Sequence, residues 1–160
     1  MYKKILVPLD GSPLAEGVLG QVRELARCDD ADIVLLRVTS YPLYDYTLTD
    51  PMLVVQLREA AEVEARSYLD GVTATLRAEG FRVTGEIREG PVAEMIINAA
   101  TNLQADLIAM STHGRSGLQR FILGSVANQV LHASKVPVLV IRPEKAEDKK
   151  DAPARETVVL

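Results

Sequence analysis

The chain has 160 residues, 48% hydrophobic and 25% charged, a length that suits one domain burying roughly two-thirds of its unfolded surface. The apolar content excludes a disordered chain, the lone Cys28 excludes a disulfide scaffold, and no apolar run exceeds four residues, too few to span a bilayer. A net charge of −4, 4% aromatic residues and no tryptophan supply neither the basic stripe nor the stacking platform that nucleic acid requires.

Residues 2–8 read as a buried strand, with Ile5, Leu6 and Val7 consecutive. The apolar stretch there is too short for a signal peptide, so a cytoplasmic setting is expected. Residues 12–27 place Leu14, Val18, Leu19, Val22, Leu25 and Ala26 at helical spacing, and Cys28 beyond them is expected to be a small packed residue. Residues 33–38, Ile-Val-Leu-Leu-Arg-Val, form a second strand. Residues 41–50 hold a proline and three tyrosines and read as a loop. The long Ala/Glu/Arg-rich stretch 51–79 reads as a helix with Leu53, Leu57, Val63, Tyr68, Leu69 and Leu76 on its inner face. Gly71 interrupts it at a cost of about 1 kcal/mol against alanine.

Residues 81–88 alternate as a half-buried strand does, and Gly90-Pro91 opens a helix carrying Val92, Met95, Ile96, Ala99, Ala100 and Leu103. A strand over 106–111, a helix over 124–133 and a strand over 136–141 follow. From Pro143 the pattern ends: nine of the last eighteen residues are charged, and 143–160 is expected to be a solvated, disordered tail. Its final residues, Glu156 to Leu160, also have the composition to add to a partner's sheet edge.

Strands alternating with helices of this length predict an α/β three-layer sandwich, one domain over 1–142 with a five-stranded parallel sheet. In such sheets ligands bind beyond the carboxyl ends of the strands, where strand order reverses. The unusual residues cluster after strands one and four: Pro8-Leu9-Asp10-Gly11-Ser12, and Met110-Ser111-Thr112-His113-Gly114-Arg115-Ser116-Gly117 with Gly124-Ser125 beyond. Strand order 3-2-1-4-5 makes these two ends neighbours.

Glycines after strand four, followed by bare amides and a hydroxyl at a helix start, suit a phosphate. A plain turn and helix start account for them equally well. Ser12 before Pro13 reads as a helix N-cap, which leaves Asp10 to accept from a ribose hydroxyl, to help hold a metal, or to brace the turn. His113 has no carboxylate near it in sequence to orient it as a base, and His132 falls on a helix surface. Neither a metal-ligand spacing nor an acid/base carboxylate pair is present, so catalytic residues are not assigned and any ATP hydrolysis is expected to be slow.

Three segments carry a resemblance: Pro8-x-Asp10-Gly11-Ser12 after the first strand, Ser111-Thr-His-Gly-Arg-Ser-Gly-x6-Gly-Ser125, and Val-Pro-Val-Leu-Val-Ile near the end. In order and spacing the chain resembles the universal stress protein family from Met1 to Arg142. The nucleotide-binding branch reads G-x2-G-x9-G-[ST]; Gly114, the nine residues 115–123 and Gly124-Ser125 match it, and Ser111 stands where the first glycine would. The resemblance implies that Pro8 and Asp10 lie near base and ribose, and that Val38 offers backbone contacts to adenine. It implies that Met110 and Ser111 flank the ribose, while Gly114, Gly124, Ser125 and Val126 surround the phosphates. ATP, with Mg²⁺, is the implied ligand.

The family also implies homodimers paired antiparallel through the last strand, here 136–141 with Val136 and Ile141 at its ends. An apolar edge strand suits that role. The expected function is a dimeric, ATP-binding stress-response regulator acting through a protein partner, with neither nucleic acid nor membrane involved. A nucleotide-independent docking adaptor of the same fold is the alternative, and an ATP-using ligase or nucleotidyl transferase lacks its signature lysine and histidine motifs.

Overall fold

A computed structural model describes residues 1–40, 51–112, 123–142 and 158–159. In chain order these form β1 (Lys4–Pro8), α1 (Pro13–Glu16), α2 (Leu19–Asp29), β2 (Asp32–Thr39), α3 (Pro51–Ala78), β3 (Val83–Glu89), α4 (Val92–Asn102), β4 (Leu107–Ser111), α5 (Ser125–Ala133), β5 (Val138–Ile141) and β6 (Val158–Val159). The sheet order is β3-β2-β1-β4-β5-β6. Its first five strands are parallel in the expected order, and β6, which lies within the stretch read as a tail, runs antiparallel to β5.

The period-two geometry of the strands splits their apolar residues between two cores. Ile5, Val7, Ile33, Leu35, Leu107 and Ala109 face Ala15, Val22, Leu69 and Leu76 of the first three helices. Leu6, Val34, Leu36, Ile108 and Met110 face Ile96, Ala99, Ala127 and Val130 of α4 and α5. Each central strand is therefore covered on both sides, which accounts for its near-continuous apolar sequence.

Three local readings change. The helix expected over 12–27 is broken: Gly17 caps α1, Val18 N donates to Ala15 O, and α2 begins a new turn at Leu19. Cys28 is exposed rather than packed, because α2 turns Val22 and Ala26 inward and leaves position 28 outside that stripe. Helix α3 runs unbroken through Gly71, but only Ala65, Leu69, Thr73 and Leu76 are buried. Leu53, Leu57 and Val63, expected inside, are 40%, 46% and 69% exposed. A 28-residue helix is about 42 Å long, whereas strands of five to eight residues reach about 17–27 Å. Much of the amino-terminal half of α3 is therefore exposed, although Arg58 reaches Glu89 at the end of β3.

Side chains close the amino ends of the strands. Asp106 Oδ2 accepts from the backbone N–H groups of Lys3 and Lys4 at 2.7 and 2.9 Å, tying β4 to β1. Arg82 donates to Asp30 and Asp32, binding β3 to β2 and holding the Asp30 carboxyl below its usual range. The opposite, carboxyl edge is the one left to build a site.

Candidate functional site

Peptide groups alternate along a strand, and in β1 the odd positions face β2: Leu9 N donates to Leu36 O at 2.8 Å, and Lys3 O accepts from Asp32 N. Even positions face β4, as the bond from Asp106 N to Lys4 O shows. Pro8, an even position, has no N–H to give. The ladder to β2 extends to Pro8↔Leu36, while that to β4 ends at Leu6↔Ile108. The β1–β4 ladder thus stops short of Pro8 just where sheet order reverses, the place at which open parallel sheets hold a ligand crevice between strand ends.

Asp10 stands on one bank. Its Oδ1 accepts from Ser12 N at 2.9 Å and from Ser12 Oγ at 2.6 Å. Ser12 Oγ in turn accepts from Ala15 N at 3.1 Å and caps α1. Gly11 between them has φ of 80°, a conformation that glycine adopts without strain. Asp10 therefore carries the turn duty that the sequence reading weighed as one of its roles, and its carboxylate is held in one orientation.

The other bank is the end of β4. Met110 and Ser111 are buried. Thr112 N donates to Ile141 O at 2.9 Å, and Thr112 O accepts from Gly124 N at 2.8 Å. That last bond fastens the start of α5 directly to the end of β4. Asn128 N donates to Gly124 O, so the amides of residues 125–127 lie in the first turn without an intrahelical acceptor. Gly124, the N-cap, has no side chain to offer them, and the helix dipole makes this end attractive to an anion. Ser125 is exposed and Val126 half-buried.

Val38, near the carboxyl end of β2, packs against the same core cluster that contains Met110 and borders Val126. Of the nine residues singled out, Pro8, Asp10, Val38, Met110, Ser111, Gly124, Ser125 and Val126 all lie on elements that meet at this edge. Gly114 lies outside the described residues, as do His113, Arg115 and Arg120.

A polar cluster beneath α3 was not read from the sequence. Arg37 on β2 is 6% exposed, its guanidinium 5.8 Å from the centre of the Tyr68 ring and 3.5 Å from Glu64 Oε2. Its Nε has no hydrogen-bond partner among the described residues. Tyr68 Oη donates to Glu16 Oε1 at 2.9 Å. Burial first, then this bond, pushes the tyrosine hydroxyl far above its usual range, and the Asp10 charge adds to the effect while Arg37 opposes it. The available signal was an arginine inside an otherwise apolar strand.

A recess of about 630 Å³ is lined by α3 residues alone, among them Glu59, Val63 and Asp70. It is a furrow on one helix flank, without convergent groups from a second element, and lies apart from the crevice.

The model of the universal stress protein family matches residues 1–142. The universal stress protein MJ0531 of Methanocaldococcus jannaschii is 31% identical over 148 residues, covering 92% of this chain and 86% of that protein. The solved structure of MJ0577, a universal stress protein from the same organism, has a TM-score of 0.80 at 30% identity, covering 91% of this chain and 99% of that one. The universal stress protein of Archaeoglobus fulgidus solved in complex with dAMP has a TM-score of 0.60 at 23% identity, over 87% and 97% of the two chains; the likeness is one of fold.

Proposed function

The chain belongs to the universal stress protein family, and from that premise we propose that it is a dimeric stress-response regulator whose ligand is ATP with Mg²⁺. The base and ribose lie against Pro8, Asp10 and the backbone of Val38, with Met110 and Ser111 flanking the sugar. The phosphates lie among Gly114, Gly124, Ser125 and Val126. Copies pair through the strand 136–141.

The observation that carries this reading is the 2.8 Å bond from Gly124 N to Thr112 O. It supports the reading because it joins the anion-attracting start of α5 to the end of β4, the neighbour of β1, whose own carboxyl end leads to Asp10. Each hydrogen bond to a charged oxygen contributes about 1.5–3 kcal/mol, enough for several amides together to hold a polyphosphate. Among the described residues no group of three or more His, Cys, Asp or Glu is placed to hold a metal. In this reading Mg²⁺ comes bound to the phosphates, and Asp10 is the carboxylate of the site that can meet it. The solved relative that carries dAMP supports an adenine nucleotide as the class of ligand.

Thermal melting with and without Mg-ATP tests the proposal. Ligand at a hundred times its dissociation constant adds about 2.7 kcal/mol, and the absence of any shift at millimolar ATP overturns it. Gly124→Val removes the shift and keeps the fold, because φ of −56° and ψ of 151° are open to any residue.

Ser111 favours the second reading, an adaptor that works without nucleotide. Its buried side chain stands at the position where the binding motif has glycine. Denaturing the protein as purified separates the two: released adenine absorbance supports the first reading, and its absence supports the second.

A further inference from the structure

β5 is the last of the parallel strands, and β4 covers one of its flanks. Ile108 N donates to Pro137 O and Thr112 N to Ile141 O, each at 2.9 Å. Odd positions of this stretch therefore turn their peptide groups toward β4, and alternation turns those of Val138 and Val140 outward. On that outward flank lies β6, in the register Leu139↔Val159 and Val140↔Val158, antiparallel. Val140 and Val158 are consequently the pair that exchanges both N–H···O bonds, while the peptide groups of Val159 point away from the sheet.

We propose that β6 caps the β5 edge within its own chain, and that a second copy pairs there only by displacing it. The proposal rests on the reading of 136–141 as the dimer strand. The outward N–H and C=O groups of Val138 and Val140 are all that this short edge offers, and an antiparallel β5 from another copy needs the same groups. One edge cannot serve both. The composition agrees: Thr157, Val158 and Val159 form a β-branched run after a stretch dominated by charge. Sixteen residues, 142–157, separate β5 from β6, a span over which a linked segment has an effective concentration in about the millimolar range. A cap of two residue pairs at that concentration competes with a free partner at micromolar concentration. It also covers an apolar edge that would otherwise invite unspecific pairing.

The test uses the whole chain with Val158→Pro, which removes the bonded N–H, and with Val159→Pro, which removes one directed at solvent, a position where an edge strand tolerates proline. Hydrogen exchange at the Val140 amide is read at concentrations where the chain is monomeric, with the Ile141 amide, directed at β4, as the reference that reports an intact sheet. Sedimentation velocity over a concentration series gives the dimer constant. Val158→Pro is expected to speed Val140 exchange, spare Ile141 and tighten dimerisation about tenfold, the factor for caps in place about two-thirds of the time on both copies. Val159→Pro is expected to match the parent chain in both readouts. Equal Val140 exchange in the parent and Val158→Pro overturns the cap. A weaker dimer in Val158→Pro also overturns it, since the strand then acts between copies. Faster Val140 exchange with no dimer at any concentration in any of the three proteins overturns the dimer reading and leaves the cap standing.

Discussion

Asp10 and Ser12 share a single oxygen: Asp10 Oδ1 takes both the Ser12 backbone N–H and the Ser12 hydroxyl, at 2.9 and 2.6 Å. The carboxylate thereby aims the hydroxyl that caps α1, so structure and proposed ligand contact meet in one residue. Two substitutions separate them. Asp10→Ala removes the acceptor and is expected to cost about 1–2 kcal/mol in chemical denaturation. Asp10→Asn keeps an oxygen for Ser12 and is expected to melt close to the parent, yet to show a smaller Mg-ATP-induced shift because the negative charge is gone. Equal ligand shifts for Asp10→Asn and the parent would confine Asp10 to its turn.

Ser111 ends β4 beside the crevice and is 7% exposed. If ATP occupies the site, the serine Cβ crowds the sugar where glycine would not. Ser111→Gly is expected to tighten ATP binding about tenfold by titration calorimetry, equivalent to about 1.4 kcal/mol. Its stability is expected to fall by about 0.5–1 kcal/mol, because glycine loses more backbone freedom on folding. Weaker binding by the glycine variant would instead make the serine hydroxyl a ligand contact.

Much of the architecture is legible in the sequence because parallel strands covered on both faces are apolar throughout, and because Pro8, Asp10 and the glycines after Met110 mark the two strand ends that meet. The gaps have separate physical causes. Helical periodicity in α3 cannot report that the sheet beneath is shorter than the helix, so it points Leu53, Leu57 and Val63 toward a core that does not extend to them. The break at Gly17 depends on Val18 and Leu19 both packing inward on the same core as Ala15, a tertiary demand. The pairing of Val158 with Val140 lies across the sheet edge rather than along the chain, where local patterning has no reach. Arg37 was visible as a letter, but its environment comes from α3, 27 residues further on at Glu64.

That environment makes Arg37 costly. Its guanidinium is buried, its Nε has no partner among the described residues, and the Glu64 carboxylate that it meets at 3.5 Å is 57% exposed. A buried charge with incomplete pairing is often replaced by an apolar side chain of similar volume without loss. Arg37→Met is expected to leave stability unchanged or raise it by about 1–3 kcal/mol in urea denaturation. Arg37→Ala, which leaves a gap beside the Tyr68 ring, is expected to destabilise. A substantial loss in the methionine variant would show that the guanidinium is better satisfied than its contacts with Glu64 and Tyr68 indicate.

The same helix is held at its other end by a pair whose effect depends on pH. Arg23 in α2 donates through Nε and a terminal nitrogen to both oxygens of Glu79, just beyond α3, at 2.6 and 2.9 Å. The bonds lower the Glu79 pKa and raise that of Arg23. A carboxylate whose pKa is lower when folded contributes stability that is complete above its unfolded value, about 4.3. The contribution is lost as pH falls through the lower, folded value. Arg23 titrates far above neutrality, so the acid limb reports Glu79 and its counterparts, among them Asp30 beside Arg82. Glu79→Gln is expected to reduce the fall in Tm between pH 5 and pH 3 relative to the parent, because its amide does not titrate. Near pH 7 it is expected to melt slightly lower, the pair being partly exposed and worth little against solvent. Parallel Tm profiles for the two proteins from pH 7 to pH 3 would remove Glu79 from the acid sensitivity of the fold.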